Sequence, residues 1–377
     1  MGPMGRLQRY LQIVMAVALL ALCGAASASA APSPAFATPG TFSCEAATAA
    51  NRIAPPPPLW KLSEKLHLGK APNAQEVATA NAIKPPCPAG QVPSSIAHGV
   101  ATPDLTPTQA SAATEQPGAT SGQGATSDPQ TMPPADGGEN CQSGGCYWYS
   151  NNEVSKTAIG MEYETNISQP HVSGFSGAHS IDQLAIAGGG VNSEGSPHYT
   201  IEAGWDVDPT AGWGSPEKPH FFVFFNPDYY GAESCYVGIE ARCTSFVPAA
   251  EAKITPGVTA LEPGTTKFKI GVKYVVSEKR WWIWAGTQWI GYIPGSAYGG
   301  HFTRGEREAN YGEVFDSESE PTSQMGDGQF GSSSGATSMT QSRIAGRSPT
   351  PGADGGEKRK ASSSNRNADE FTSSGCR

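Results

Sequence analysis

Large parts of this chain lack aromatic residues. Between Lys61 and Cys146 there is no Phe, Trp or Tyr, and after Phe330 only Phe371 remains. Seven of the eight tryptophans lie in the span between these two stretches. A domain needs large apolar side chains to offset the entropy lost on folding, so the aromatic-poor parts are not expected to build its core. We therefore expect one sizeable domain, built mainly from residues 147–330.

The chain also lacks an apolar run long enough to span a membrane. Its longest candidate, Ile13 to Leu22, follows a basic start and precedes two A-x-A cleavage motifs, Ala28-Ser29-Ala30 and Ala35-Phe36-Ala37. This order is typical of a secretory signal peptide, which we place at residues 1–30. The mature protein is therefore expected to be secreted, extracellular and free of the membrane.

The sequence lacks the motifs that indicate a metal site and the charge pattern that indicates nucleic-acid binding. The sequence contains neither C-x-x-C nor H-E-x-x-H, so we expect no metal and no other cofactor. Its net charge is −9 with a pI near 5.3, and no stripe of Lys and Arg alternates with aromatic residues. Nucleic acid is therefore not an expected partner.

Cysteines are present, and export makes disulfides plausible. Removal of Cys23 with the signal peptide leaves seven, so at least one thiol is free or intermolecular, or the pairing differs from the simplest one. In that simplest pairing Cys376 is left over. Local spacing predicts three pairs: Cys44–Cys87, Cys141–Cys146 and Cys235–Cys243.

The segment after the signal peptide, residues 31–87, is interpreted as a pro-region. Leu59, Leu62 and Leu66 lie at helical spacing and predict a short amphipathic helix that is marginal by itself. Such a helix is expected to dock on the main domain. Residues 88–140, rich in Pro, Gly, Ser and Thr, are predicted to be a flexible linker and a processing site.

The remaining chain, residues 141–377, is predicted to be all-β, with a low-complexity stretch after residue 330. Phe268 to Val276 alternates apolar and polar residues, as a half-buried strand does. Trp281–Trp284 and Trp289–Ile293 read as the two strands of a hairpin, and His220–Phe225 reads as a strand buried on both faces. Short strands between Gly and Pro turns favour an antiparallel β-sandwich.

Two glutamates are the candidate catalytic residues. Glu202 lies in an alternating run from Tyr199 to Val207, which places it on the face opposite the apolar residues. Glu313 lies in a second strand-like run, Tyr311 to Phe315. Two carboxylates that face one cleft are able to share a proton and activate water. The alternative is that each is a solvated strand glutamate, because charged strand positions usually face water.

The tryptophan cluster allows two interpretations. Adjacent Trp281 and Trp282 must point to opposite faces of a strand, so we expect one of them to lie outside the main core. That side chain is a candidate wall for a substrate groove, or a stacking platform in a carbohydrate-binding sandwich. The alternative is that these aromatic residues are core.

The order of motifs resembles the neprosin family of secreted glutamic peptidases, whose plant members cleave after proline. The resemblance implies a β-sandwich, a catalytic pair at Glu202 and Glu313, an N-terminal activation peptide and a Cys235–Cys243 disulfide. It rests on these ordered motifs: His179-Ser180-Ile181, Glu202-Ala203-Gly204-Trp205-Asp206-Val207-Asp208-Pro209, Cys235-Tyr236 with Cys243, Trp281-Trp282, Ile290-Gly291-Tyr292-Ile293-Pro294, Gly312-Glu313-Val314, and Met325-Gly326-Asp327-Gly328-Gln329-Phe330.

The resemblance predicts a secreted, monomeric endopeptidase that cleaves protein or peptide substrates at acid pH. In this prediction the two glutamates titrate as a unit and hold one water between them, and the general base is not assigned. The predicted pocket for a proline ring is formed by Trp205, Tyr292 and whichever of Trp281 and Trp282 faces the cleft. The alternative function is a non-enzymatic β-sandwich that binds cell-wall carbohydrate or peptide.

Overall fold

The protein is described by a computed structural model. Its described residues are 43–48, 52–61, 71–93, 138–142, 145–193, 195–211, 215–240, 243–318, 322–328 and 337–346. The predicted signal peptide, Leu62, Leu66, Cys376 and most of the predicted linker lie outside these residues.

Strands dominate the described residues, as the alternating apolar patterns predict. There are fifteen of them, and helical structure is confined to one α-helix and two 3-10 turns. The helix, α1 (Ala74–Ala82), begins after Asn73, whose side chain accepts from the backbone N–H groups of Gln75 and Glu76. The 3-10 turns are Leu59–Lys61 and Gly295–Tyr298. The strands are β1 Cys44–Ala46, β2 Gln91–Pro93, β3 Gly138–Gln142, β4 Gly145–Val154, β5 Ala158–Thr165, β6 His179–Val191, β7 Pro197–Val207, β8 His220–Asn226, β9 Cys235–Tyr236, β10 Val247–Pro248, β11 Phe268–Val275, β12 Arg280–Ala285, β13 Gln288–Pro294, β14 Arg307–Ser317 and β15 Met339–Gly346.

The strands form two large sheets and one small one. The seven-stranded sheet has the order β3-β4-β14-β6-β7-β8-β9, and the six-stranded sheet has the order β10-β13-β12-β11-β5-β15. β1 and β2 form a separate pair. All strand pairs in the three sheets are antiparallel. The predicted fold class, an antiparallel β-sandwich, is confirmed.

The main core is built where the two large sheets face each other. Ile201, Ala203 and Trp205 of β7 share one buried cluster with Ile270 and Val272 of β11, and each is fully buried. These are the positions that the period of two assigned to the inner faces. The predicted hairpin is also present, because β12 and β13 pair directly with Ala285 opposite Gln288.

The expectation that Trp281 or Trp282 lies outside the main core is wrong. Both are 0 % exposed and both belong to the main cluster. Trp281 donates its indole N–H to the Phe302 carbonyl at 2.7 Å, while Trp282 packs on Trp289, with ring centroids 5.9 Å apart. The physical reason is that the N-terminal segment covers this aromatic group: the Trp289 indole donates to the Pro57 carbonyl at 3.1 Å, and nearby Leu59 is also buried.

Three disulfides join the cysteine pairs that local spacing predicts. They are Cys44–Cys87, Cys141–Cys146 and Cys235–Cys243. Disulfides of this kind are consistent with an oxidising, extracellular environment. None of the helices in the described ranges combines the length and the apolar character that crossing a membrane requires.

Candidate active site

Glu202 and Glu313 lie on the same face of the seven-stranded sheet, the face that points away from the six-stranded sheet. On β6, Leu184 and Ile186 belong to the core between the sheets, so the intervening odd-numbered residues point to the other side. We call this side the glutamate face. Its central residues are Tyr147 and Tyr149 on β4, Tyr311 and Glu313 on β14, His179, Ile181, Gln183 and Ala185 on β6, Glu202, Gly204 and Asp206 on β7, and Phe222 and Phe224 on β8.

Neither candidate glutamate is a solvated surface residue. Glu202 and Glu313 are both 0 % exposed. Burying a carboxylate carries a large desolvation cost unless hydrogen bonds or opposite charges compensate for it. The interpretation of solvated strand glutamates is therefore wrong, and the surroundings of each carboxyl group decide its charge.

The register places β6 between the two glutamates. Glu313 is opposite Ile181, and Glu202 is opposite Ala185, so the two positions are offset by four residues along β6. Gln183 is halfway between them on the same face. No hydrogen bond joins the two carboxyl groups in the part of the chain that the structure describes. Each glutamate instead has its own set of partners.

Glu202 is surrounded by hydroxyl donors. Its Oε1 accepts from Thr200 at 2.8 Å and from Tyr230 at 2.9 Å, and its Oε2 accepts from Tyr311 at 3.3 Å. Burial raises the pKa of Glu202 to about 7, and the charge of Glu313 adds to this rise, while the hydroxyl donors oppose it. Glu202 is therefore a carboxylic acid that keeps its proton up to near-neutral pH.

A strained loop brings Tyr230 to Glu202. Tyr229 and Tyr230 follow β8 and both have a φ of 59°, in the left-handed region that bulky residues rarely adopt. The Asn226 side chain accepts from the backbone N–H of Tyr230 at 2.8 Å and holds the turn. Backbone strain of this kind persists only where the surroundings enforce it, and it is common at functional sites.

Glu313 is paired with a histidine. Nε2 of His179 lies 3.0 Å from Oε1 of Glu313, and Nδ1 of His179 lies 2.9 Å from the Gly177 carbonyl. A carbonyl oxygen only accepts, so Nδ1 must carry a proton. The remaining proton is then shared between Nε2 and Oε1, which makes the pair either imidazolium–carboxylate or imidazole–carboxylic acid.

The charges around His179 favour the imidazolium form. Burial by itself lowers the pKa of His179, but the hydrogen bond to Glu313 and the charges of Asp206, Glu313 and Asp208 outweigh it and raise the pKa to about 9. Burial raises the pKa of neighbouring Asp206, which the charge of His179 opposes. We therefore describe Glu313 as a carboxylate held by a histidinium.

Several polar atoms on the glutamate face are buried without a protein partner. Among the described residues, Oε2 of Glu313, Oδ1 of Asp206 and both amide atoms of Gln183 accept or donate no hydrogen bond. Buried polar atoms in native proteins nearly always have partners. These four atoms share one face with the two glutamates, so a polar ligand, such as a water molecule or a peptide group, would find donors and acceptors there.

The structure does not bring the predicted substrate-binding aromatic residues to this face. Trp205 points into the core, because the alternation that puts Glu202 on one side of β7 puts Trp205 on the other. Trp281, Trp282 and Tyr292 belong to the six-stranded sheet. The aromatic residues that surround the glutamates are different ones, which the sequence analysis missed: Tyr147, Tyr149, Phe222, Phe224, Tyr230, Tyr236, Tyr311 and Phe315.

Close packing explains why the Glu-Ala-Gly-Trp motif has glycine at position 204, between Glu202 and Asp206. A Cβ at this position would lie 2.1 Å from the Asp182 carbonyl oxygen and 2.7 Å from Cβ of Gln183. We expect Gly204→Ala to destabilise the protein by about 3 kcal/mol, seen as a lower midpoint of thermal unfolding. Gly174→Ala is the control, because a Cβ there meets nothing within 4 Å. Equal midpoints for the two variants would contradict this account.

In the described part of the chain, no group of three or more His, Cys, Asp or Glu residues is arranged to hold a metal ion.

The fold and the site define a disulfide-containing β-sandwich protein with a buried cluster of acidic and basic groups. The family model described as Neprosin matches residues 176–370, which is more than half of the chain. The protein belongs to the neprosin family. This membership supports a peptidase-type role, and the disulfides agree with the secreted character of the family.

Comparison with solved structures gives distant matches. A Scytalido-glutamic peptidase with a peptide-based transition-state analogue matches at 11 % identity and a TM-score of 0.26, over 53 % of this chain and 80 % of that one. A carbohydrate-binding module, CBM66 from Bacillus subtilis, matches at 12 % identity and a TM-score of 0.23, over 48 % of this chain and 83 % of that one. Neither similarity says which ligand this chain takes. Among curated proteins, the comparison finds none that matches.

Proposed function

We propose that the protein is a secreted endopeptidase in which Glu313 is the general base and Glu202 the general acid. The observation that carries the proposal is the contrast between the two buried glutamates on one face. Glu313 is held by His179 and keeps a free Oε2, while Glu202 has its pKa raised to about 7. Carboxyl groups whose environments differ in this way are suited to opposite roles in proton transfer.

The proposed reaction is direct hydrolysis of a peptide bond. Oε2 of Glu313 accepts a proton from water as the water oxygen forms a bond to the carbonyl carbon, and the electron pair of the C=O bond moves to the oxygen. When the carbonyl reforms, the C–N bond breaks, and the nitrogen takes the proton of Glu202. The proton that Glu313 took from water then returns to Glu202 through solvent, which restores both carboxyl groups. The products are a carboxylic acid and an amine, and no covalent intermediate with the protein is formed.

Substrate entry requires movement, because neither carboxyl group reaches solvent. Tyr230 is half-buried, donates directly to Glu202 and lies in the strained loop after β8. In the proposal this loop moves aside when a peptide binds. Release of its strain would offset part of the cost of breaking the Tyr230–Glu202 hydrogen bond.

The proposal includes a preference for cleavage after proline and an N-terminal activation peptide, both of which rest on the family resemblance. Since Trp205, Trp281, Trp282 and Tyr292 are core residues, a proline ring would contact the aromatic residues of the glutamate face instead. The described part of the N-terminal segment, around Pro57 and Leu59, packs beside Trp289 of the six-stranded sheet. That sheet is not the one that carries the glutamates.

The test is incubation of the secreted protein, before and after cleavage in residues 88–140, with a denatured proline-rich protein at about pH 4 to 6. Product termini are read by mass spectrometry. New termini clustered after proline support the whole proposal, whereas termini elsewhere retain the peptidase and remove the proline preference. Absence of turnover in both forms, together with binding of a peptide or polysaccharide, would favour the non-enzymatic binding module.

A further inference from the structure

Gln183 has a fully buried polar side chain that makes no hydrogen bond to the described residues. It is 0 % exposed, and neither its amide nitrogen nor its amide oxygen has a hydrogen-bond partner among the described residues. Such an arrangement lowers the stability of the folded state, because both atoms lose their hydrogen bonds to water. Buried polar atoms in native proteins nearly always have partners, so the Gln183 amide is a candidate for binding a group of a ligand.

The position of Gln183 is central to the candidate site. It is opposite Tyr311 of β14 and opposite Gly204 of β7, which places it midway between the positions of Glu313 and Glu202. Gly204 also leaves room beside it, because a Cβ at Gly204 would come within 2.7 Å of Cβ of Gln183. The side-chain amide of Gln183 therefore lies between the two glutamates, and its nitrogen and oxygen have no hydrogen-bond partner among the described residues.

We propose that Gln183 is a third catalytic residue, whose side-chain N–H donates to the carbonyl oxygen of the scissile peptide bond. This inference rests on the proposed function. With the carbonyl oxygen at Gln183, the carbonyl carbon lies between the water activated by Glu313 and the acid Glu202. The amide oxygen remains free to accept a hydrogen bond from that water or from a substrate N–H.

The chemical reason for an amide here is the charge that develops during hydrolysis. When water adds to the carbonyl carbon, the oxygen takes the electron pair of the C=O bond and becomes negative. A fixed donor in a buried site stabilises this charge, and removal of one such donor typically costs about 10² to 10³ in turnover. An amide does not titrate, so its donation persists over the whole pH range of the two carboxyl groups.

The test compares Gln183→Met with Ser180→Ala. Methionine keeps the length of glutamine without its polar atoms. Ser180 is on the same strand and also has a buried, unpartnered oxygen, but it points to the opposite face. We expect Gln183→Met to lower kcat by about 10² with little change in KM, and to leave the thermal midpoint unchanged or raised. Ser180→Ala should keep wild-type kcat.

The combination of lower kcat and undiminished stability distinguishes a catalytic role from a structural one. If Gln183→Met retains kcat within about threefold of wild type, the catalytic role is overturned while the peptidase proposal stands. If kcat and the thermal midpoint fall together, Gln183 is a structural residue and the inference is again wrong. Absence of turnover by wild type would remove the proposed function, and the role of Gln183 with it.

Discussion

Glu313→Gln is expected to lower turnover by about 10³, whereas Glu202→Gln is expected to lower it by only about 10 to 10². The difference follows from the two roles. An amide at position 313 has no basic oxygen to take the proton of water. An amide at position 202 still donates a hydrogen bond, as the neutral acid does, but it has no proton to give to the leaving nitrogen.

The pH dependence separates the two variants further. The protonated form of Glu202 is present below its pKa of about 7 and is lost as the pH rises through that value. Wild-type kcat should therefore fall above about pH 7. This fall at high pH is the alkaline limb of the kcat profile. The alkaline limb should be absent in Glu202→Gln, whereas the residual kcat of Glu313→Gln should still show it.

The control for these substitutions is Glu162→Gln. Glu162 is also a buried strand glutamate, 2 % exposed, but it lies on β5 in the six-stranded sheet. The Glu162→Gln variant should retain the kcat of the wild type and the alkaline limb of its profile. The opposite order of losses, with Glu202→Gln the more severe variant, would mean that the base and the acid have been exchanged in our assignment.

Sequence pattern predicted the architecture because strands with one buried face alternate. The runs around Glu202 and in β11 follow that rule, and each is a strand in the structure. The same rule predicted the face of Glu202 correctly. Applied consistently, it also excludes Trp205 from that face, since residues three apart on a strand point to opposite sides.

Sequence pattern did not select Gln183 and His179 as candidate site residues because β6 does not alternate. Asp182 is polar and yet faces the interior, where it accepts from Tyr163 at 2.6 Å and from Thr165 at 2.7 Å. A buried network of this kind breaks the apolar pattern that would have revealed the two faces. Only the pairing of β6 with both β7 and β14 shows that its odd-numbered residues lie between the glutamates.

The expectation that one of Trp281 and Trp282 lies outside the main core failed for a different reason. Alternation decides which side of a sheet a residue occupies, but it does not say what covers that side. Here Pro57 and Leu59, more than two hundred positions earlier in the chain, pack near Trp289. Contacts over such separations are set by the fold and leave no local signal in the sequence.

His179→Gln is expected to lower activity at acid pH more than activity near neutral pH. Below a pKa of about 9 the imidazolium of His179 favours the ionised form of Glu313, so the base is available at low pH. Glutamine donates a hydrogen bond without the charge. At acid pH kcat/KM should therefore be lower than that of the wild type, while the alkaline limb set by Glu202 stays near pH 7.

Other charged groups near His179 must be considered in this experiment. Asp206 and Asp208 act on His179 from β7 and its end, Glu313 from β14, and the Tyr147 ring packs against it from β4 at 6.0 Å. Loss of the imidazolium would leave Asp206 without a cation that now favours its charge, so Asp206 should take up a proton and not oppose Glu313. His301→Gln, at an exposed position, is the control and should change neither kcat/KM at acid pH nor the alkaline limb. An unchanged kcat/KM at acid pH in His179→Gln would show that the histidine holds Glu313 in place without setting its charge.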